Sequence, residues 1–87
     1  MAWFVYIVVC SDNTYNTGIC YNLRKRIADH NSGKYVGSFT RSRLPVKLVY
    51  WEKFENRFEA AKSEKVIKDY SRFKKEKLIS SLHRILR

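Results

Sequence analysis

Seven consecutive residues near the start, Trp3-Phe4-Val5-Tyr6-Ile7-Val8-Val9, are all aromatic or β-branched. The run is far shorter than the ~20 residues a membrane-spanning helix needs. Its composition reads instead as a strand covered on both faces. A chain of 87 residues is large enough for one domain and too small for two, so residues 1–87 are expected to form a single domain. No basic segment precedes the run and no cleavage-like site follows it, so it does not read as a signal peptide.

Turn chemistry at Ser11-Asp12-Asn13-Thr14 makes the next apolar stretch, Tyr15 to Cys20, the second arm of a β-hairpin. Gly18 weakens that arm unless something has to approach its backbone closely. Asn22 is a candidate N-cap for a helix from Leu23 to about Asn31, stopped at Gly33. The polar stretch from Gly33 to Pro45 is long enough to be a functional loop. A third strand is expected over Val46 to Trp51, with Val46, Leu48 and Tyr50 alternating against Lys47. A helix from about Arg57 to Tyr70 follows, and Ser71 caps another from Arg72 to the C-terminus. The order predicts an α+β fold, a small three-stranded, mainly antiparallel sheet packed with three helices.

Charge narrows the partner. Eighteen Lys and Arg against eight Asp and Glu give a formal net charge of +10, which repels itself in a compact fold and is better tolerated beside an anionic partner. A disordered basic tail has a similar balance but lacks two Trp, five Phe and six Tyr. From Arg24 to Lys47 seven basic residues face one acid, and from Arg72 to Arg87 six face one, whereas Tyr50 to Tyr70 is nearly balanced. Lys25, Lys34, Arg41, Arg43, Arg72, Lys74 and Lys75 are therefore candidate phosphate contacts. Tyr35 and Phe39, interleaved with Lys34 and Arg41, suit stacking on unpaired bases. A solvated helix face explains the cluster after Arg72 equally well when it is taken alone. Neither charged helix shows a clean apolar face of the kind that lies on a membrane. Cys10 and Cys20 have no zinc-ligand spacing and read as reduced, partly buried thiols of a cytoplasm or nucleus. Nucleic acid, DNA or RNA, is the expected partner, for a monomer or weak dimer.

Four residues have a second reading beside the structural one. Leu23, Ile27 and His30 share a helical stripe, with Arg26 one turn before His30 at its edge. Ala60, Glu64 and Ile67 repeat that spacing, although Lys68 could hold Glu64 in an ordinary surface pair, which helix spacing alone favours. Tyr6 lies on the face of the first strand that also carries Phe4 and Val8, where a core tyrosine with a wet hydroxyl is common.

In sequence order these residues resemble the GIY-YIG nuclease superfamily. The likeness runs through Val5-Tyr6-Ile7, Thr17-Gly18-Ile19 and Leu23-x-x-Arg26-x-x-x-His30-Asn31-Ser32-Gly33. It continues in Arg41-x-Arg43-x-Pro45-Val46-Lys47-Leu48-Val49-Tyr50 and Glu59-Ala60-x-x-x-Glu64-x-x-Ile67-Lys68, and ends in Ser71-Arg72-x-Lys74-Lys75-x-Lys77-Leu78-Ile79. The closest likeness is to small stand-alone members, similar to the catalytic domain of excision-repair and structure-specific endonucleases. The resemblance implies cleavage of phosphodiester bonds, on single-stranded or branched DNA, with one Mg²⁺ or Mn²⁺ held at Glu64. It also implies that Arg26 offsets charge on the phosphoryl oxygens, that Tyr6 activates or positions water, and that His30 serves as base or relay. Two signature positions differ. Val5 stands where Gly is usual, and Asn16 stands where a second tyrosine should precede Thr17-Gly18. Tyr15, one residue earlier, should point to the opposite face unless a bulge intervenes. The alternative is thus a nucleic-acid-binding module of the same fold with weakened or lost catalysis.

Overall fold

The computed structural model describes residues 2–33 and 41–86, with side chains as far as residue 82 except that of Arg41. Strand β1, Trp3–Val9, occupies the centre of a three-stranded sheet, flanked by β2, Tyr15–Cys20, and β3, Lys47–Phe54. Both pairings are antiparallel. The hairpin turn uses the residues expected of it: Asn13 adopts a positive φ of 69°, and the Asp12 carboxylate accepts from the Thr14 N–H and hydroxyl.

Helices cover both faces, which is why every second residue of β1 need not be polar. Helix α1, Leu23–Asn31, lies on one face, where Leu23 and Ile27 pack against Tyr6, Val8, Cys20 and Val46. Helices α2, Arg57–Lys68, and α3, Arg72–Leu86, cover the other, where Ile67, Leu78 and Ile79 pack against Val5, Ile7 and Tyr50. Val5, Ile7 and Val8 are fully buried, each contributing about 1.5–3 kcal/mol of transfer free energy. Caps set the helix starts: Asn22, Asn56 and Ser71 each accept a backbone N–H three residues on, from Lys25, Glu59 and Lys74. Gly33, at φ 75°, ends α1 in the left-handed conformation that glycine adopts without strain.

The α+β architecture and the order of elements along the chain agree with the sequence reading, and three details differ. Strand β3 runs on to Phe54. Helix α2 stops at Lys68, capped by Asp69. The pairing of β1 with β3 slips between Ile7 and Val8, so that Tyr50 pairs with Ile7 while Leu48 pairs with Val8. Simple alternation placed Val46, Leu48 and Tyr50 together. The slip instead leaves Val46 and Leu48 beside Tyr6 and sends Tyr50 to the face covered by α2 and α3.

Candidate active site

Tyr6 and Gly18 are directly opposed in the β1–β2 ladder. The tyrosine ring lies over the glycine so closely that a Cβ on Gly18 would stand 2.5 Å from the phenolic oxygen. Gly18 is therefore the close approach that its position in a strand suggested. β2 is an edge strand, so the Tyr6 hydroxyl is carried outward from the sheet centre over that edge. There it meets His30 in the last turn of α1, with Oη and Nε2 3.4 Å apart and the hydrogen bond's direction set by the imidazole tautomer. The two rings also stand edge to face at 66°, with centroids 6.5 Å apart.

His30 is 8% exposed. Burial disfavours the imidazolium, the Arg26 charge one turn earlier adds to the effect, and Asp29 opposes it, so the pKa is lowered and the ring is neutral at pH 7. Arg26 is half-buried, and its charge also acts on Cys20. Burial pushes the Cys20 thiol up, more strongly than Arg26 and the Asn22 backbone lower it. Both cysteines are free and buried, and Cys20 stays a protonated thiol rather than a nucleophile. Tyr6, Arg26 and His30 are thus brought together on the α1 face.

Glu64 comes from the other side. On α2 it sits between Ala60 and Ile67, both buried against the sheet, and its own side chain is 21% exposed. Its carboxylate pairs with Lys68 at 3.5 Å, and α2 packs on β1 and β2. A phosphate that touched both Glu64 and the Tyr6 group would have to lie along the β2 edge. Thr17, one residue from Gly18, is buried on the α2 face with its hydroxyl lacking a partner among the described residues. Among those residues no group of three or more His, Cys, Asp or Glu could cage a metal. A single part-exposed carboxylate such as Glu64 fits a hard ion that keeps most of its water, as Mg²⁺ does. It does not fit zinc.

Asn16 pairs with Val8 in an unbroken register from Phe4–Cys20 to Val9–Tyr15. No bulge restores the missing tyrosine. Asn16 shares the Tyr6 face, as its diagonal neighbour at roughly 7–8 Å, and Tyr15 packs on the opposite face near Val5 and Ile7.

Several of the cations expected to meet phosphate have intramolecular partners. Arg72 lies 4.4 Å over the Tyr15 ring, donates to the Asn13 carbonyl at 2.8 Å and pairs with Glu76 at 3.4 Å, pinning α3 to the hairpin. Arg43 pairs with Asp12 at 2.9 Å. Lys25 pairs with Asp29 at 2.8 Å. The Lys74 ammonium stands 4.6 Å over Tyr70. Lys75 is half-buried on α3. Lys34, Tyr35, Phe39 and the Arg41 side chain lie outside the described residues.

Sequence reading missed the Asn31 side chain, which accepts from the Val46 N–H at 2.7 Å and donates to the Val46 carbonyl at 3.1 Å. This double bond of helix end to strand start fixes α1, and so His30 and Arg26, against the sheet. A polar residue just after a candidate site histidine was the available signal.

Comparison with known proteins agrees with this fold. A UPF0213 protein of Desulfotalea psychrophila is 49% identical over 80 residues, covering 92% of this chain and 73% of its own length. One from Clostridium perfringens is 50% identical over 78 residues, covering 90% and 83%. The solution structure of a UPF0213 protein from Bacillus halodurans superposes with a TM-score of 0.59 at 40% identity, covering 92% of this chain and 84% of that one. An E. faecalis protein solved in solution gives 0.63 at 32% identity, covering 95% and 88%. Residues 2–77 match the family model described as the GIY-YIG catalytic domain. The chain belongs to the GIY-YIG family, a nuclease superfamily whose partners are nucleic acids.

Proposed function

We propose that this protein is a metal-dependent endonuclease that hydrolyses phosphodiester bonds in DNA, on single-stranded or branched substrates. The observation that carries the reading is the Tyr6–His30 pair held beside Arg26 at the edge strand. A neutral His30 is able to take the Tyr6 proton, and the Tyr6 oxygen can in turn draw a proton from water at the exposed edge. Arg26 offers a fixed positive charge for the phosphoryl oxygens as they gain charge. Glu64 would hold Mg²⁺ or Mn²⁺, which when bound polarises the phosphate and stabilises the leaving oxygen. Buried unpaired thiols suit a reducing cytoplasm. Among the described residues no helix is long and apolar enough to cross a membrane.

Asn16 favours a second reading, a binding module of the same fold. It shares the Tyr6 face but cannot supply a phenolate, and Tyr15 is turned away. One assay separates the two. Purified protein with Mg²⁺ or Mn²⁺ is expected to nick single-stranded or branched DNA, and Glu64→Ala to abolish nicking with DNA affinity within about twofold. Salt-sensitive binding without cleavage under either metal would favour the binding module, and cleavage gained by Asn16→Tyr would identify a decayed site. Unchanged cleavage by Glu64→Ala would place the metal elsewhere.

A further inference from the structure

The geometry points to a second contact on the same strand: Trp3, Tyr21 and Arg57 form a stacking platform for an unpaired base close to the scissile phosphate. The inference rests on reading the site as one that holds nucleic acid. Trp3 opens β1 and Tyr21 directly follows β2, on the sheet face that α2 covers. Their rings stand 5.7 Å apart at 68°. Arg57, the first residue of α2, holds its guanidinium 5.6 Å from the centre of the Trp3 ring.

An ordinary aromatic pair would explain the ring geometry but not the rest. Tyr21 is 57% exposed, so its ring is not there to fill the core. Arg57 is exposed and makes no ion pair among the described residues. It also occupies a helix N-terminus, where the backbone dipole disfavours a cation. An aromatic ring, a guanidinium plane and uncompensated positive charge suit a nucleobase joined to phosphate.

The position suits it as well. Arg57, Ala60, Glu64 and Ile67 fall at i, i+3, i+7 and i+10 on α2, so Arg57 and Glu64 share the sheet-facing stripe. Seven residues of helix separate them by about 10 Å, roughly three nucleotides of stacked strand at ~3.4 Å each. In a duplex both faces of each base are already stacked. The platform therefore selects single-stranded segments and frayed or branched ends over continuous duplex.

The test is binding in EDTA, where cleavage plays no part, of a labelled single-stranded oligonucleotide and its duplex, followed by fluorescence anisotropy. Tyr21→Ala is expected to weaken single-strand binding about tenfold and duplex binding less than twofold, with an unchanged circular dichroism spectrum. Tyr21→Phe, which keeps the ring, is expected to restore it. Phe58→Ala, removing an exposed aromatic outside the pair, is expected to change neither. Equal losses for both DNA forms, no loss, or a Tyr21→Phe as weak as Tyr21→Ala would each overturn the platform. Absence of cleavage by the parent protein with metal would instead refute the nuclease reading and leave this comparison readable.

Discussion

Gly18→Ala tests the local geometry on which the Tyr6 site depends. The added Cβ would stand 2.5 Å from the Tyr6 hydroxyl oxygen and 2.7 Å from Cζ, where ordinary contact starts at 3.4 Å. The ring must therefore retreat by about 0.9 Å, because repulsion rises steeply inside van der Waals contact. A free side-chain tip could move that far at little cost. Tyr6 is not free: it is 3% exposed and packed in one cluster with Val8, Val46 and Trp51. Overpacking of this kind costs about 1–3 kcal/mol. Gly18 is not in the left-handed region, so alanine regains about 0.5–1 kcal/mol of the usual strand penalty of glycine. The net expectation is a loss of about 0.5–2 kcal/mol, read as the midpoint shift in urea at unchanged m-value. It corresponds to a fall in Tm of about 4–8 °C per kcal/mol. Catalysis should suffer more than stability. The Tyr6–His30 contact is already 3.4 Å, at the long end for a hydrogen bond, so a displacement of this size, whichever way the ring moves, disturbs its geometry. DNA nicking by the folded variant is expected to fall at least tenfold at a temperature where more than nine-tenths of it is folded. Tyr6→Phe in the Gly18→Ala background removes the nearest atom but leaves Cζ, so it should recover part of the stability and none of the activity. A Gly18→Ala protein within about 0.5 kcal/mol of the parent, nicking at the parent rate, would refute the close approach and the role built on it.

Two further expectations follow from the residues that hold the site. Asn31→Ala removes both side-chain bonds to Val46, a residue 4% exposed, and is expected to cost about 1–3 kcal/mol in urea unfolding because a buried N–H and carbonyl lose their partners; a loss under 0.5 kcal/mol would mean water replaces them freely. His30 has its folded pKa lowered, first by burial and then by Arg26, so below about pH 6.5 the unfolded chain binds the proton first. Its stability contribution is therefore fully present above about pH 6.5, falls as pH drops through the lowered folded value, and levels below it. Urea midpoints from pH 8 to 5 should show this slope in the parent and a flatter one in His30→Gln, and identical slopes would refute the assignment.

The parts of the fold that were legible are those decided locally. An unbroken apolar run such as Trp3–Val9 has to be covered on both faces wherever the chain goes. Asn22 and Ser71 cap helices through N–H groups three residues away. The slip opposite Ile7 and Val8 was not legible, since a bulge is a property of two strands and the sequence of either one alternates normally. The same reason explains the basic residues. Arg43 and Arg72 read as phosphate contacts because their partners, Asp12 and Asn13, lie 31 and 59 residues away. Charge counted along the chain shows how much attraction is available to a polyanion, and only the fold shows how much of it is already spoken for.

Asn16 then decides how the remaining groups divide the chemistry. With the β1–β2 register unbroken, no second phenol faces Tyr6 from β2. An amide can orient a water but does not titrate near neutral pH, so under the proposed endonuclease reading proton transfer would fall to Tyr6 and His30 alone. That places unusual weight on keeping His30 neutral, which burial and Arg26 both favour. The same Arg26 charge is the one a phosphate would neutralise. Substrate binding would therefore remove part of what lowers the His30 pKa, raising its basicity as the phosphate arrives and as a proton has to be accepted. The acid limb of a kcat profile should accordingly lie above that of kcat/KM, which reports the free protein, and the gap should close in Arg26→Gln. Coincident limbs in the parent protein would show that the imidazole does not sense the phosphate through Arg26.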